Sequence, residues 1–168
     1  MQKYDFIKST FNFSNAPIKR FVKIEKKEDS LKKLKDEISN IENCTLKNNS
    51  KNLVFADGDH DSGIMLIGEG PGQKEDEQGK PFVGDAGLLL NKMLAAINIK
   101  RNKVYVTNIV NYRPPENRKP NEVEINTYAP FIKKHISIIN PKLIILLGST
   151  AMESVSYTHL TLPTIGCV

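Results

Sequence analysis

"IMLIGEGPGQKEDEQGKPFVGDAGLLLNKMLAAINI", residues 64–99, decides the fold. It opens on an unbroken apolar run, Ile64 to Ile67, too uniform for a strand with one wet face, so it reads as a strand buried on both sides. It closes on an amphipathic helix over 86–99, and glycines and an acidic patch fill the loop between them. Downstream, "VYVTNIV" (104–110) reads as a second buried strand and "NYRPPENRKP" (111–120), with three prolines, as a loop. "NEVEINTYAPFIKKHISIIN" (121–140) reads as a helix capped by Asn121 and kinked at Pro130. "PKLIILLGSTA" (141–151) reads as a third strand entering a further helix. Upstream, Leu31, Leu34, Ile38 and Ile41 recur at helical spacing, with Asp29 or Ser30 as cap. "NLVF" (52–55) reads as a short strand and "DGDHDSG" (57–63) as a turn. Strand–helix alternation of this kind predicts an α/β fold with a central parallel sheet covered on both faces. Ligands bind such sheets at the carboxyl ends of the strands, where the glycine loop, Asn108 and Gly148-Ser149-Thr150 fall.

Bulk composition narrows the class further. A chain of 168 residues makes one domain that buries about two thirds of its unfolded surface. No apolar run approaches the ~20 residues of a membrane span, and there is no secretory h-region. The expectation is a cytoplasmic monomer with no membrane partner. Cys44 and Cys167 are too few for a disulfide framework or a four-thiolate metal site. The net charge of +5 is uneven: up to Leu53 there are 12 of the 24 Lys/Arg but only 7 of the 19 Asp/Glu. Residues 1–28 are expected to form a loosely ordered basic arm. A basic segment can follow a phosphate backbone, and a solvated helix face fits the charge equally well.

The glycine loop is not a nucleotide loop. Counting from Gly68, the dinucleotide fingerprint fails at Gln73, and Gly79-Lys80 is followed by Pro81 where a P-loop needs Ser or Thr. Glu69, Glu75, Asp76 and Glu77 would also repel a polyphosphate. Glycines that merely permit turning account for Gly68, Gly70 and Gly72. They do not account for Glu69 set between two of them, or for the aromatic Phe82 in "GKPFVG".

Taken together, "GEGPGQKEDEQGKPFVGDAG", "VYVTNIVNYRPPENRKP" and "PKLIILLGSTA" resemble family-4 uracil-DNA glycosylases in order and spacing, over about residues 31–153. The resemblance implies a three-layer α/β/α fold. It also implies hydrolysis of the N-glycosidic bond of uracil in DNA, leaving an abasic site for base-excision repair. Phe82 then matches the residue on which the flipped base stacks. Asn108 matches the uracil-reading amide, which donates to O4 and accepts from N3–H. Glu69 matches the carboxylate that orients water and faces the sugar, so it is the expected catalytic residue. Gly68 and Gly70 let the backbone approach the base, and Glu75 aligns with a residue that crowds the uracil C5 position. A solvated acidic loop is the competing reading of Glu75. Arg113, Arg118, Ser149 and Thr150 are expected at DNA phosphates, although both arginines fit a solvated loop as well. Two other functions stay open: excision of another deaminated base, and a non-catalytic nucleic-acid-binding relative.

Two departures from the family pattern stand out. The resemblance implies a [4Fe–4S] cluster on four cysteines, but only Cys44 is kept, and Ile41, Tyr112 and Tyr128 fall at the other positions. No cluster and no other metal are expected, with apolar and aromatic packing instead. The resemblance also implies a further strand and a His-Pro motif well beyond "LGSTA", while this sequence ends at Val168. His159 comes too early and lacks the proline, so it is not assigned to catalysis. Residues 154–168 lack helical period and are expected to be a non-native tail, leaving an incomplete domain over 29–153 with impaired activity. His60 and His135 are expected at the surface.

Overall fold

A computed structural model describes residues 26–42 and 44–156. Most of the expected basic arm, His159, Cys167 and the stretch from 157 onward lie outside the described residues.

Four strands form one sheet: β1 (Ala56–Gly58), β2 (Ile64–Gly68), β3 (Tyr105–Asn108) and β4 (Leu143–Leu146), in the order β1-β3-β2-β4. β2 pairs in parallel with β3 and with β4, whereas β1 runs antiparallel to β3. The central parallel sheet read from the sequence is present as β3-β2-β4, and β1 adds an antiparallel edge strand that the sequence did not announce. Only residues 59–63 join β1 to β2, and so short a link cannot carry a parallel crossover, which takes a dozen residues or more.

Side chains alternate across a strand, and β2 divides its own between two cores. Met65 and Ile67 join the larger core, with Leu34 and Ile38 of α1 (Lys27–Ser39) and Tyr128, Ile132 and Ile139 of α5 (Glu122–Ile139). Val155 of α6 (Ser149–Ser156) packs there too. Leu66 faces the smaller core, with Val104, Val106 and the buried stripe Leu90 and Leu94 of α4 (Asp85–Ala96). Helices therefore cover both faces, giving the three layers. β4 is an edge: Ile144 and Leu146 pack inward while Leu143 and Ile145 stay exposed.

Several local readings shift. The first helix starts at Lys27 without a side-chain cap, and Glu28 and Asp29 lie in its first turn, where acidic charge offsets the helix dipole. The strand expected at 52–55 forms at 56–58. Val54 and Phe55 are tied instead by Asn111 Nδ2 to the Val54 carbonyl (3.0 Å) and by Thr107 Oγ1 to the Phe55 carbonyl (2.7 Å). Two short helices, α2 (Thr45–Asn49) and α3 (Gln73–Gln78), were not visible in the sequence pattern. Asn121 does cap α5, in a reciprocal box with Glu124 (2.8 Å each way). The last helix runs to Ser156, so Ser154 and Val155 belong to the folded domain. His135 is not a surface residue. It is buried and stacked on Phe55, and its Nε2 lies 2.7 Å from the Tyr105 hydroxyl. Burial without a charged partner holds its pKa down to about 3. His60 is half-buried, with Nε2 3.5 Å from Asp61.

Candidate active site

At the carboxyl end of β2 the chain stays zipped to β3 beyond the sheet. Ile109 N–H donates to the Gly68 carbonyl (2.8 Å) and Val110 N–H to the Glu69 carbonyl (3.2 Å). This register sets Gly68 beside Asn108. A Cβ on Gly68 would lie 2.5 Å from Phe82 Cζ and 2.6 Å from Asn108 Oδ1, so the ring and the amide meet over a bare backbone. A Cβ on Gly70 would lie 2.8 Å from Val110 Cγ2.

Phe82 has φ +56°, a left-handed conformation that costs a bulky residue roughly 1–2 kcal/mol. Gly87, in the first turn of α4, receives the Phe82 backbone: a Cβ there would sit 1.9 Å from the Phe82 carbonyl oxygen. Glu75 Oε1 accepts from the amides of Val83 (2.9 Å) and Gly84 (2.6 Å), the two residues after Phe82. Together Phe82, Asn108, Glu75, Gly70, Gly72 and Gly84 line a cleft of ≈ 230 Å³.

Asn108 is 2% exposed, and its Oδ1 has no hydrogen-bond partner. A buried acceptor left unpaired costs about 1–3 kcal/mol. Among the described residues only Arg101 Nη1 shares that state. Arg101 is otherwise engaged, with its Nη2 3.1 Å from Asp57 and 3.3 Å from the Pro81 carbonyl.

Glu69 stands beside the cleft with its carboxylate turned toward α6. Thr150 Oγ1 donates to its Oε2 at 2.5 Å, a short bond of the kind a charged acceptor makes. Thr150, expected at a DNA phosphate, is buried, with its hydroxyl bonded to Glu69. Ser149 is exposed at the helix start. Arg118 also has an internal partner. Its guanidinium grips Glu124 through two bonds, 2.6 and 2.8 Å, and holds that carboxyl below its ordinary pKa. Arg113 Nε donates to Asn117 Oδ1 (2.8 Å), bracing the proline loop. The sequence reading had no role for Asp76, Gly87 or Arg101. A glycine on the apolar face of a helix was the available signal for Gly87.

Residues 55–166 match the family profile described as the uracil DNA glycosylase superfamily. The chain belongs to this superfamily. Among its relatives, a type-4 uracil-DNA glycosylase of Pyrobaculum aerophilum is 43% identical over 118 residues, 70% of this chain and 60% of that protein. One from Sulfurisphaera tokodaii is 44% identical over 121 residues, 71% of this chain and 55% of its own. One from Thermotoga maritima is 44% identical over 110 residues, 66% and 57% respectively. The chain thus spans 55–60% of the length of these three relatives.

The positions where the family-4 resemblance implies cluster cysteines lie together in the larger core. Cys44 Sγ is 3.3 Å from the Tyr128 hydroxyl, Tyr112 is buried in the same cluster, and Ile41 packs against it. One thiol, two phenols and an alkyl chain do not fit an iron–sulfur cubane, which needs thiolate ligands. Among the described residues no group of three or more His, Cys, Asp or Glu could hold a metal ion. Also among them, no helix is long and apolar enough to cross a membrane.

Proposed function

We propose that this chain is a uracil-DNA glycosylase that hydrolyses the bond between uracil N1 and deoxyribose C1′, leaving an abasic site. The observation that carries the reading is the buried, unpartnered Asn108 Oδ1 beside the Phe82 ring. A base inside a duplex is reached only by flipping it out of the stack, and a flipped pyrimidine needs a face to stack on and an edge to be read by. Phe82 supplies the face. Asn108 accepts N3–H with Oδ1 and donates from Nδ2 to O4. Cytosine offers an acceptor at N3 and a donor at C4, so it would leave buried polar groups opposed, and polar mismatch discriminates far better than shape alone.

Glu69 is the proposed catalytic carboxylate. It orients water toward C1′, takes up the proton that water loses, and its charge steadies the oxocarbenium-like sugar as the C1′–N1 electron pair leaves on the base. Ser149 and Arg113 are the proposed phosphate contacts, with Thr150 and Arg118 acting through Glu69 and Glu124. The reading includes a cluster-free, monomeric protein working on DNA in the cytoplasm.

The test is abasic-site formation on single- and double-stranded oligonucleotides carrying one uracil. Release above that of Asn108→Ala is expected, with cytosine-containing controls untouched. The absence of both uracil release and preferential binding of the uracil strand would refute the proposal.

A further inference from the structure

The loop residues between β2 and α4 divide their work in a way the functional reading leaves unexplained. Glu75 and Asp76 are consecutive, yet neither is a solvated surface charge. Asp76 is 2% exposed, and its Oδ1 accepts from the amides of Lys51 (2.9 Å) and Asn52 (3.0 Å). Asn52 Nδ2 returns a bond to the Asp76 carbonyl at 2.7 Å. Adjacent residues on a helix point about 100° apart, so the same turn of α3 sends Glu75 the other way, to the amides of Val83 and Gly84. The glycines around it give room to this carboxylate. A Cβ on Gly72 would lie 2.9 Å from Glu75 Oε2, and one on Gly84 3.1 Å from Oε1.

We infer that Glu75 is a positioning residue: anchored through Asp76, it clamps the two amides after Phe82 and so presets the left-handed turn that holds the ring in the cleft. This rests on the reading of Phe82 as the stacking surface, and it assigns Glu75 to the turn instead of to the C5 edge of the base. A phenylalanine has no intrinsic preference for φ +56°, so something must hold the turn there. From one side the notch at Gly87 receives the Phe82 carbonyl, and from the other the carboxylate fixes the next two N–H groups.

Crowding a base needs volume, whereas holding amides needs an acceptor, and two substitutions separate these. Glu75→Gln keeps both volume and acceptor, and Glu75→Met keeps volume only. With 4-fluorophenylalanine placed at position 82, the unsubstituted chain and Glu75→Gln are expected to share one ¹⁹F resonance. Glu75→Met is expected to shift or split it and to weaken binding of a uracil-containing single strand about 10-fold, within the range that base stacking supplies. Glu77→Met, altering the exposed third acidic residue, should leave the resonance in place. An unchanged resonance in Glu75→Met would overturn the inference, whatever happens to activity. Should Glu75→Met not fold, amide hydrogen exchange decides instead: Val83 and Gly84 N–H must be protected in the unsubstituted chain and in Glu75→Gln, and free-amide exchange there overturns it. Failure of the unsubstituted chain to bind or cleave uracil DNA would remove the functional reading, while the resonance comparison would still decide the clamp.

Discussion

Gly87→Ala is the most exacting perturbation of the cleft. Replacing a helical glycine with alanine ordinarily stabilises a protein by up to about 1 kcal/mol, through helix propensity. Here the new methyl would lie 1.9 Å from the Phe82 carbonyl oxygen, 2.2 Å from its carbon and 2.9 Å from its Cα. All three are backbone atoms, and none can rotate away. Overpacking costs roughly 1–3 kcal/mol, and an immovable neighbour places this site at the upper end. Net destabilisation of about 2 kcal/mol follows, or a melting temperature about 4–8 °C lower for a chain of this size. Relief of the clash must push the Phe82 turn outward, which forfeits some or all of a stacking contribution of about 1–3 kcal/mol. Affinity for a uracil-containing single strand should then fall about 5- to 150-fold. Thermal melting and a fluorescence-anisotropy titration measure the two effects separately. A Gly87→Ala chain that melts at or above the parent temperature, with unchanged affinity, would show that propensity governs and that the notch is not tight.

Thr150→Val removes the hydroxyl that donates to Glu69 while keeping its shape. Because hydrogen bonds to charged groups are worth about 1.5–3 kcal/mol, kcat for uracil release should drop about 10-fold or more. KM should hold while the melting temperature falls by about 3–12 °C, Thr150→Ser should recover both, and an unaltered kcat would sever the link between α6 and the carboxylate. His135 gives the protein an acid limit. The unfolded chain binds a proton near pH 6.5, and the folded chain refuses it until about pH 3. Stability is therefore full above pH 6.5 and is lost as pH falls through that window, by up to about 1.4 kcal/mol per unit. Urea titrations from pH 7 to 4 should show that slope, and His135→Phe should flatten it. Purified protein should contain no stoichiometric iron or acid-labile sulfide, and a broad visible absorbance accompanied by both would contradict the cluster-free corner around Cys44.

What the sequence disclosed and what it hid follow from the range of the interactions. β2 was legible because its apolar run is self-contained, and the α5 cap because Asn121 and Glu124 lie one turn apart. Phe82, Asn108 and Glu75 could be nominated for the cleft from motif resemblance, and the fold does bring them together. Partners distant in the chain carried no local signal. Thr150 reaches Glu69 across 81 positions, Asp76 reaches Lys51 across 25, and His135 meets Tyr105 across 30. Thr150 therefore read as a phosphate contact, Asp76 as part of an acidic loop and His135 as a surface residue. β1 was misplaced for a related reason: its pairing is set by β3, and Val54 and Phe55 satisfy their carbonyls through side chains that no periodicity reports.

The division of β2 between two cores bears on how faults in this protein would be noticed. Met65 and Ile67 key one layer and Leu66 the other, and the glycine–glutamate turn begins at the very next residue. A volume change at any of the three lifts or sinks the strand end, and Glu69 and Asn108 travel with it. On the proposed function, a modest interior lesion that still melts cooperatively would thus surface as lost uracil release. Screening such variants by thermal stability alone would pass them as healthy.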